Sequence, residues 1–385
     1  MLPPVRRPVP WSRGNPGARA SMERFFRNRR ITLYASGTAA LARAMAGCAA
    51  RSPVRSPEVV IPAYGCPDLV AACIHASVHP RLIDIAPGRW SYDLGSLESN
   101  LSANTVAIVA VNLLGVGDGA AELTRFCKER RLALIQDSAQ FLPRQDIDWP
   151  GDYVVLSFGR GKPLNLLHGG ALIAASADEI AVPDPPALCT TKGRLLGSRA
   201  AAIAFNALTR PSLYGILSAL PATGLGDVVY KPLANPARLP ESDWRRVATA
   251  FELYRRKASY RRDLWAAAVA EWSDRGIVAL DDPGSPPSPE PLRLALLAPN
   301  RIGRDALVAD LNRAGLGATR FYGTDLPNVA GIPETVRRQG PFPNANALAG
   351  RLFTLPTHSL VNANAVRTAS DLVHTWCRSQ SESAR

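Results

Sequence analysis

Lys162 stands between small residues in Ser157-Phe158-Gly159-Arg160-Gly161-Lys162, directly after the apolar run DYVVLSFG. A lysine among glycines at a strand exit reaches into a cleft, where desolvation or a neighbouring cation favours the neutral amine and imine chemistry. A solvated surface lysine is the alternative; a phosphate-cradling P-loop is excluded because GxxxxGK[ST] does not occur. A second candidate is Asp137, which ends the run LALIQ, with Gln140 three residues on. A carboxylate leaving a buried strand sits at the rim where open α/β sheets bind ligands, and its plainer reading is a helix cap. The third is Ser36-Gly37-Thr38-Ala39, at the start of a helical stretch. A helix N-terminus offers amides and positive dipole to a phosphate, although Ser-Gly-Thr is also an ordinary cap.

The elements that must position these groups alternate from about residue 31 to 175. Short apolar runs read as buried strands at 59–64, 81–85, 105–115, 132–139, 152–159 and 170–175. Helical stretches lie between them, including GAAELTRFCKERR with Leu123, Phe126 and Cys127 on one face. This order predicts an α/β domain with a mostly parallel sheet. Residues 1–30 read as a basic irregular lead, 31–235 as the large domain and 236–385 as a smaller C-terminal α/β domain. Residues 199–225 are strongly apolar and broken by Arg210-Pro211. They predict a buried or dimer-facing helical hairpin, with a membrane-surface contact as the sharper alternative. One long helix is expected from Glu241 to Trp272, then a Pro/Ser linker at 285–291, a strand, a helix, an irregular stretch and a last helix ending near Cys377.

Of the 385 residues, 46% are hydrophobic and 20% charged, the profile of a soluble globular chain. The arginines among the prolines and glycines of the lead precede no apolar segment, so no secretory signal is read, and a cytoplasmic location is expected. The six cysteines form no CxxC pair and no metal-ligand cluster, which favours reduced thiols and no metal. The formal net charge of +13 comes mostly from arginines spread along the chain. Without a helix-turn-helix or RNP signature, it points to phosphate-bearing ligands rather than nucleic acid.

Taken together, SGTAAL, IPAYGCP, RLIDIAPGRWSYDL, VAVNLLG, LIQDSAQ, LSFGRGK and HGG resemble the DegT/StrS-type sugar aminotransferases, within the fold-type-I pyridoxal-phosphate enzymes. The resemblance covers about 31–175, with weaker agreement in the long helix and in FPNANALAGRLFTLPTH. It implies pyridoxal 5'-phosphate as cofactor and an internal aldimine on Lys162. It also implies Asp137 at the pyridinium nitrogen and Gln140 at the phenolic oxygen. Thr38, Ser157 and the amides of Gly37 to Ala39 would hold the phosphate, completed by Asn235 from a second subunit and hence a homodimer. Cys66 falls where the family stacks an aromatic residue on the cofactor ring, with Tyr64 two residues away. Asn112 and His168 replace a usual histidine and a usual acidic residue. Tyr64, Arg320, Tyr322 and His358 are candidate substrate contacts; for His358 a structural role, and for Arg320 solvation, are the plainer readings.

The implied reaction is transfer of an amino group, from glutamate by analogy, to a nucleotide-linked keto-sugar in polysaccharide biosynthesis. The competing reading is an inactive member of the fold that serves as a scaffold or regulator in such a pathway.

Overall fold

The computed structural model describes residues 1–10, 17–115, 120–174, 182–189, 192–219, 228–256, 263–280 and 291–383. Seven short runs form one sheet: β1 (Arg30–Tyr34), β2 (Glu58–Pro62), β3 (His79–Ile83), β4 (Thr105–Val111), β5 (Ala133–Asp137), β6 (Tyr153–Ser157) and β7 (Gly170–Ala174). Their order across the sheet is β1-β7-β6-β5-β4-β2-β3. Strands β3, β2, β4, β5 and β6 are parallel, and β7 runs antiparallel to both β6 and β1.

Central strands covered on both faces need apolar side chains on both, which is why they read as unbroken hydrophobic runs. Alternation then divides each strand between two layers. Val59, Ile61, Val109 and Ile135 join the helices Gly37–Ala50 and Asp68–His75 on one side. Val60, Ile108 and Leu134 meet Phe126 of the helix Ala120–Arg130 on the other. Beneath β6 and β7, the helix Trp244–Arg256 packs against the helix Ala18–Phe25. There the rings of Phe25 and Phe251 meet edge-on with centroids 5.2 Å apart.

A second, antiparallel sheet has the order β10-β9-β8, with β8 (Val278–Ala279), β9 (Arg293–Leu297) and β10 (Leu352–Pro356). Trp265, Trp272, Leu307 and Trp376, from the helices Asp263–Ser273, Arg301–Arg313 and Ala363–Ser383, close its core.

Several expectations need correction. The long helix expected over 241–272 is described as Trp244–Arg256 and Asp263–Ser273; residues 257–262 between them lie outside the described residues, as does the linker up to 290. The stretch read as irregular contains the helix Pro343–Arg351 and leads into β10. The hairpin exists as Lys192–Leu208 and Pro211–Ala219, divided where Pro211 lacks the N–H a continuing helix needs. It is not buried within the chain: Ile203 is 62% exposed and Ile216 65%. Residues 1–10, read as an irregular lead, are a strap tied down at both sheets. Leu2 N–H donates to the Gly315 carbonyl (2.7 Å), and Pro3 O is paired with His358 Nε2 (2.8 Å). Arg7 donates to the Pro163 carbonyl (3.0 Å), and Asn165 donates back to the Arg7 carbonyl.

Candidate active site

Parallel strands deliver their C-terminal ends to one rim. There Asp137 closes β5, Ser157 closes β6, and the loop after β6 carries Lys162 back over the sheet. These three line one cleft together with Gly37, Thr38, Cys66, Gln140 and Tyr322. Asp68, Asn112, Leu41, Leu69, Val111 and Ala139 complete the wall.

The helix start at Gly37 is pressed against β6 and β7. A Cβ on Gly37 would lie 2.7 Å from Ser157 Cβ, and one on Gly170 would lie 2.5 Å from the Gly37 nitrogen. Both positions therefore require glycine for the approach itself. Ser36 Oγ accepts the Ala39 amide at 3.0 Å, so that amide caps the helix instead of serving a ligand. Thr38 Oγ1 donates to Asp68 Oδ2 at 3.1 Å.

Asp137 Oδ1 accepts the Ala139 amide at 3.0 Å. Desolvation raises the Asp137 pKa, opposed by that amide and by the charge of Lys162, while Asp68 adds to the rise. Gln140 is fixed from two sides: its Oε1 accepts the Leu114 amide (3.2 Å), and its Nε2 donates to Tyr322 Oη (3.0 Å). Burial pushes the Cys66 thiol up to about 12, with Asp68 adding to it, so the sulfur is a neutral wall of the cleft. Asn112 Nδ2 donates to Ser138 Oγ at 2.7 Å, orienting the segment that follows Asp137.

Not every anticipated residue arrives here. Tyr64 is buried behind Tyr322, ring centroids 5.6 Å apart, and does not line the cleft. Arg320 is exposed and lies 3.6 Å from Asp305. His358 is buried against Pro3 and held neutral, its pKa lowered to about 4 by burial. Asn235 is exposed, its Oδ1 accepting the Ala237 amide at 3.0 Å. The residue that the sequence reading missed is Asp68: Pro67-Asp68 reads as an ordinary helix start, and nothing local reveals its contact with Thr38, 30 positions away.

A wider concavity lies at the β1 edge, lined by Arg19, Arg29, Arg30 and Arg238 among others. Three of its four arginines are already committed, Arg19 to Glu23 and Glu241, Arg29 to the Gly151 and Trp149 carbonyls and Arg238 to Asp184. Chemistry rather than size therefore selects the smaller cleft.

Residues 19–182 match the family model described as the DegT/DnrJ/EryC1/StrS aminotransferase family. Over this stretch the chain is similar to that family. The matched stretch contains all seven strands of the large sheet and every cleft residue except Tyr322. A Streptomyces kanamyceticus protein, provisionally named an L-glutamine:3-amino-2,3-dideoxy-scyllo-inosose aminotransferase, is 27% identical over 150 residues. That match covers 38% of this chain and 35% of the relative, about a third of the relative's length. A DegT DnrJ EryC1 StrS aminotransferase structure from Brucella abortus superposes with a TM-score of 0.65 at 16% identity, covering 94% of this chain and 91% of that one. NtdA from Bacillus subtilis, solved with bound cofactor PMP, gives 0.66 at 15% identity over 93% and 77%. At these identities the likeness is one of fold, and the fold is that of the fold-type-I pyridoxal-phosphate aminotransferases.

The cleft fits such a cofactor in three respects. The glycine cradle at Gly37, with Thr38 and Ser157, suits a phosphate. A desolvated carboxylate stands at Asp137, and one lysine, Lys162, lines the cleft. Asp68 is the one adverse charge, and it occupies the hydroxyl of Thr38.

Proposed function

We propose that this chain is a pyridoxal-phosphate aminotransferase anchoring its cofactor on Lys162. The observation that carries the reading is the convergence of Lys162, Asp137, Gln140, Ser157 and the Gly37–Thr38 helix start on one cleft. Bound pyridoxal phosphate supplies an aldehyde that condenses with amines and a ring that stores the electron pair released at a neighbouring carbon.

The protein's part is positioning and proton management. Lys162 Nζ would hold the cofactor at its aldehyde carbon and, when free, would take and return a proton beside it. Asp137, made more basic by desolvation, is a strong acceptor for a ring N–H. Gln140, pinned by Leu114 and Tyr322, presents a fixed amide to the ring's phenolic oxygen. Ser157 and the helix N-terminus would take the phosphate, and Thr38 would join them once its hydroxyl leaves Asp68. Cys66 leaves a small, neutral surface where an aromatic ring would give stacking, so orientation rests more heavily on Asp137 and Gln140.

Glutamate is the proposed amino donor; the L-glutamine in the name of the Streptomyces relative makes glutamine the rival to test beside it. The proposed acceptor is a nucleotide-linked keto-sugar of a polysaccharide pathway, with a cyclitol ketone as the rival that the same name suggests. A cytoplasmic homodimer in which Asn235 reaches the partner's phosphate site completes the proposal; its exposure on this chain supports that role.

The test is reconstitution with pyridoxal phosphate. A visible absorption band, fixed by borohydride on a Lys162 peptide and absent in Lys162→Ala, supports the reading, and discharge of the band by glutamate or glutamine identifies the donor. Absence of both the band and the fixed peptide favours the scaffold reading, to which the Asp68–Thr38 contact already lends weight.

A further inference from the structure

The helix pair Lys192–Leu208 and Pro211–Ala219 has two faces with different surroundings. The strap of residues 1–10 covers the inner one. Val9 N–H donates to Asn206 Oδ1 (2.8 Å), Asn206 Nδ2 donates to the Val9 carbonyl (3.2 Å), and the Met1 nitrogen lies 3.2 Å from the Pro211 carbonyl. Ala202 and Thr209 are buried on that side.

The outer face is apolar and open among the described residues. Of the nine exposed large hydrophobic side chains among the described residues, four lie here: Ile203, Leu208, Leu213 and Ile216. Exposed Ala200, Ile203, Ala204 and Leu208 follow the three-and-four spacing that forms one stripe along a helix. Arg199 and Arg210 are exposed beside it. Between Asp184 and Asp227 the sequence has no acidic residue, while Lys192, Arg194, Arg199 and Arg210 are basic.

Charge chooses the occupant. Two copies meeting through this face would bring cations together with no counter-charge in the segment. An anionic headgroup layer supplies that charge and also an apolar interior for Ile203 and Ile216. No helix among the described residues is long and apolar enough to cross a membrane, so the pair would lie in the surface plane. We propose that the outer face of the helix pair 192–219 docks the protein on an anionic lipid surface. This inference stands apart from the proposed chemistry, because none of its residues lines the cleft.

The experiment is co-sedimentation of the full chain with vesicles of phosphatidylcholine alone or mixed with phosphatidylglycerol. The chain is expected to pellet with the mixed vesicles only, and less so as salt rises. The doubly substituted Ile203→Asp, Ile216→Asp chain should lose binding by at least about tenfold while keeping its thermal midpoint and its pyridoxal-phosphate spectrum. If that variant fails to fold, Arg199→Glu with Arg210→Glu decides, since it spares the apolar stripe; loss of binding is again expected. Failure to pellet with anionic vesicles overturns the proposal, as does unchanged binding in both variants. It is equally overturned if Ile203→Asp, Ile216→Asp halves the particle size in gel filtration, which would make the face an interface between two copies.

Discussion

Two regions that gather ionisable side chains give them partners that differ in kind. Beside the three-stranded sheet, Arg293 donates to the Thr354 hydroxyl and to the Gly317 and Thr354 carbonyls. Arg304 is held by the Ala349 and Leu352 carbonyls (2.9 Å each) and by Asp305, and His358 by Pro3. At the rim of the seven-stranded sheet, Asp137, Lys162 and Cys66 face one another across open space. Asp137 has one backbone amide within the chain, and its remaining capacity points to a ligand. Where the chain's own carbonyls and side chains hold a buried charge, the charge is structural; where it faces an open cleft with capacity left over, it is available for chemistry.

Substitutions should separate the two regions. Arg304→Met leaves two buried carbonyls without donors and should cost about 3 kcal/mol in a urea melt. Any folded fraction should bind pyridoxal phosphate normally. Asp137→Asn should do the opposite. It removes a carboxylate whose raised pKa marks it as costly to bury, so the cofactor-free thermal midpoint should hold or rise. Cofactor affinity, by spectral titration, should fall by tens of fold, roughly 2 kcal/mol.

His358 gives a pH test of the structural region. Its folded pKa, about 4, lies below the ordinary 6.5, so its contribution is complete above pH 6.5 and lost as pH falls toward 4. Urea melts at pH 7 and pH 5 should differ by about 2 kcal/mol on this account, and His358→Gln should flatten the difference. A smaller effect is expected at Asp68, which is exposed and hence well screened. Asp68→Asn should tighten pyridoxal phosphate and inorganic phosphate binding two- to fivefold, below about 1 kcal/mol. Weaker binding would mean that Asp68 orients Thr38 instead of opposing the phosphate.

How much was readable in advance follows from how local each feature is. The central strands were legible because burial on both faces leaves continuous apolar text. Strand β1 was not, since RITLY is a short edge segment opening on exposed Arg30; β10 was hidden in a Pro-rich stretch. Asp137, Gln140, Ser157 and Lys162 were legible because each follows a strand whose end the parallel order sends to the rim. Tyr322 was reached only through resemblance. Tyr64, Arg320 and His358 were drawn in by the same resemblance, yet they line a neighbouring core, the surface and the strap. Asp68 escaped because its partner lies in another helix.

The strap also sets a schedule for synthesis. Residues 1–10 leave the ribosome first among the segments described, yet they pair with Pro163, Asn206, Gly315 and His358, up to 355 positions away. At about 5–20 residues per second, Pro3 waits roughly 20–70 s for His358. Until then the backbone at Pro3 stays with solvent or a chaperone. Arg7 backs the lysine loop through Pro163 and Asn165, only 156 and 158 positions away, so the strap can close in two stages: first over the lysine loop, and at Pro3 only when nearly the whole chain is present.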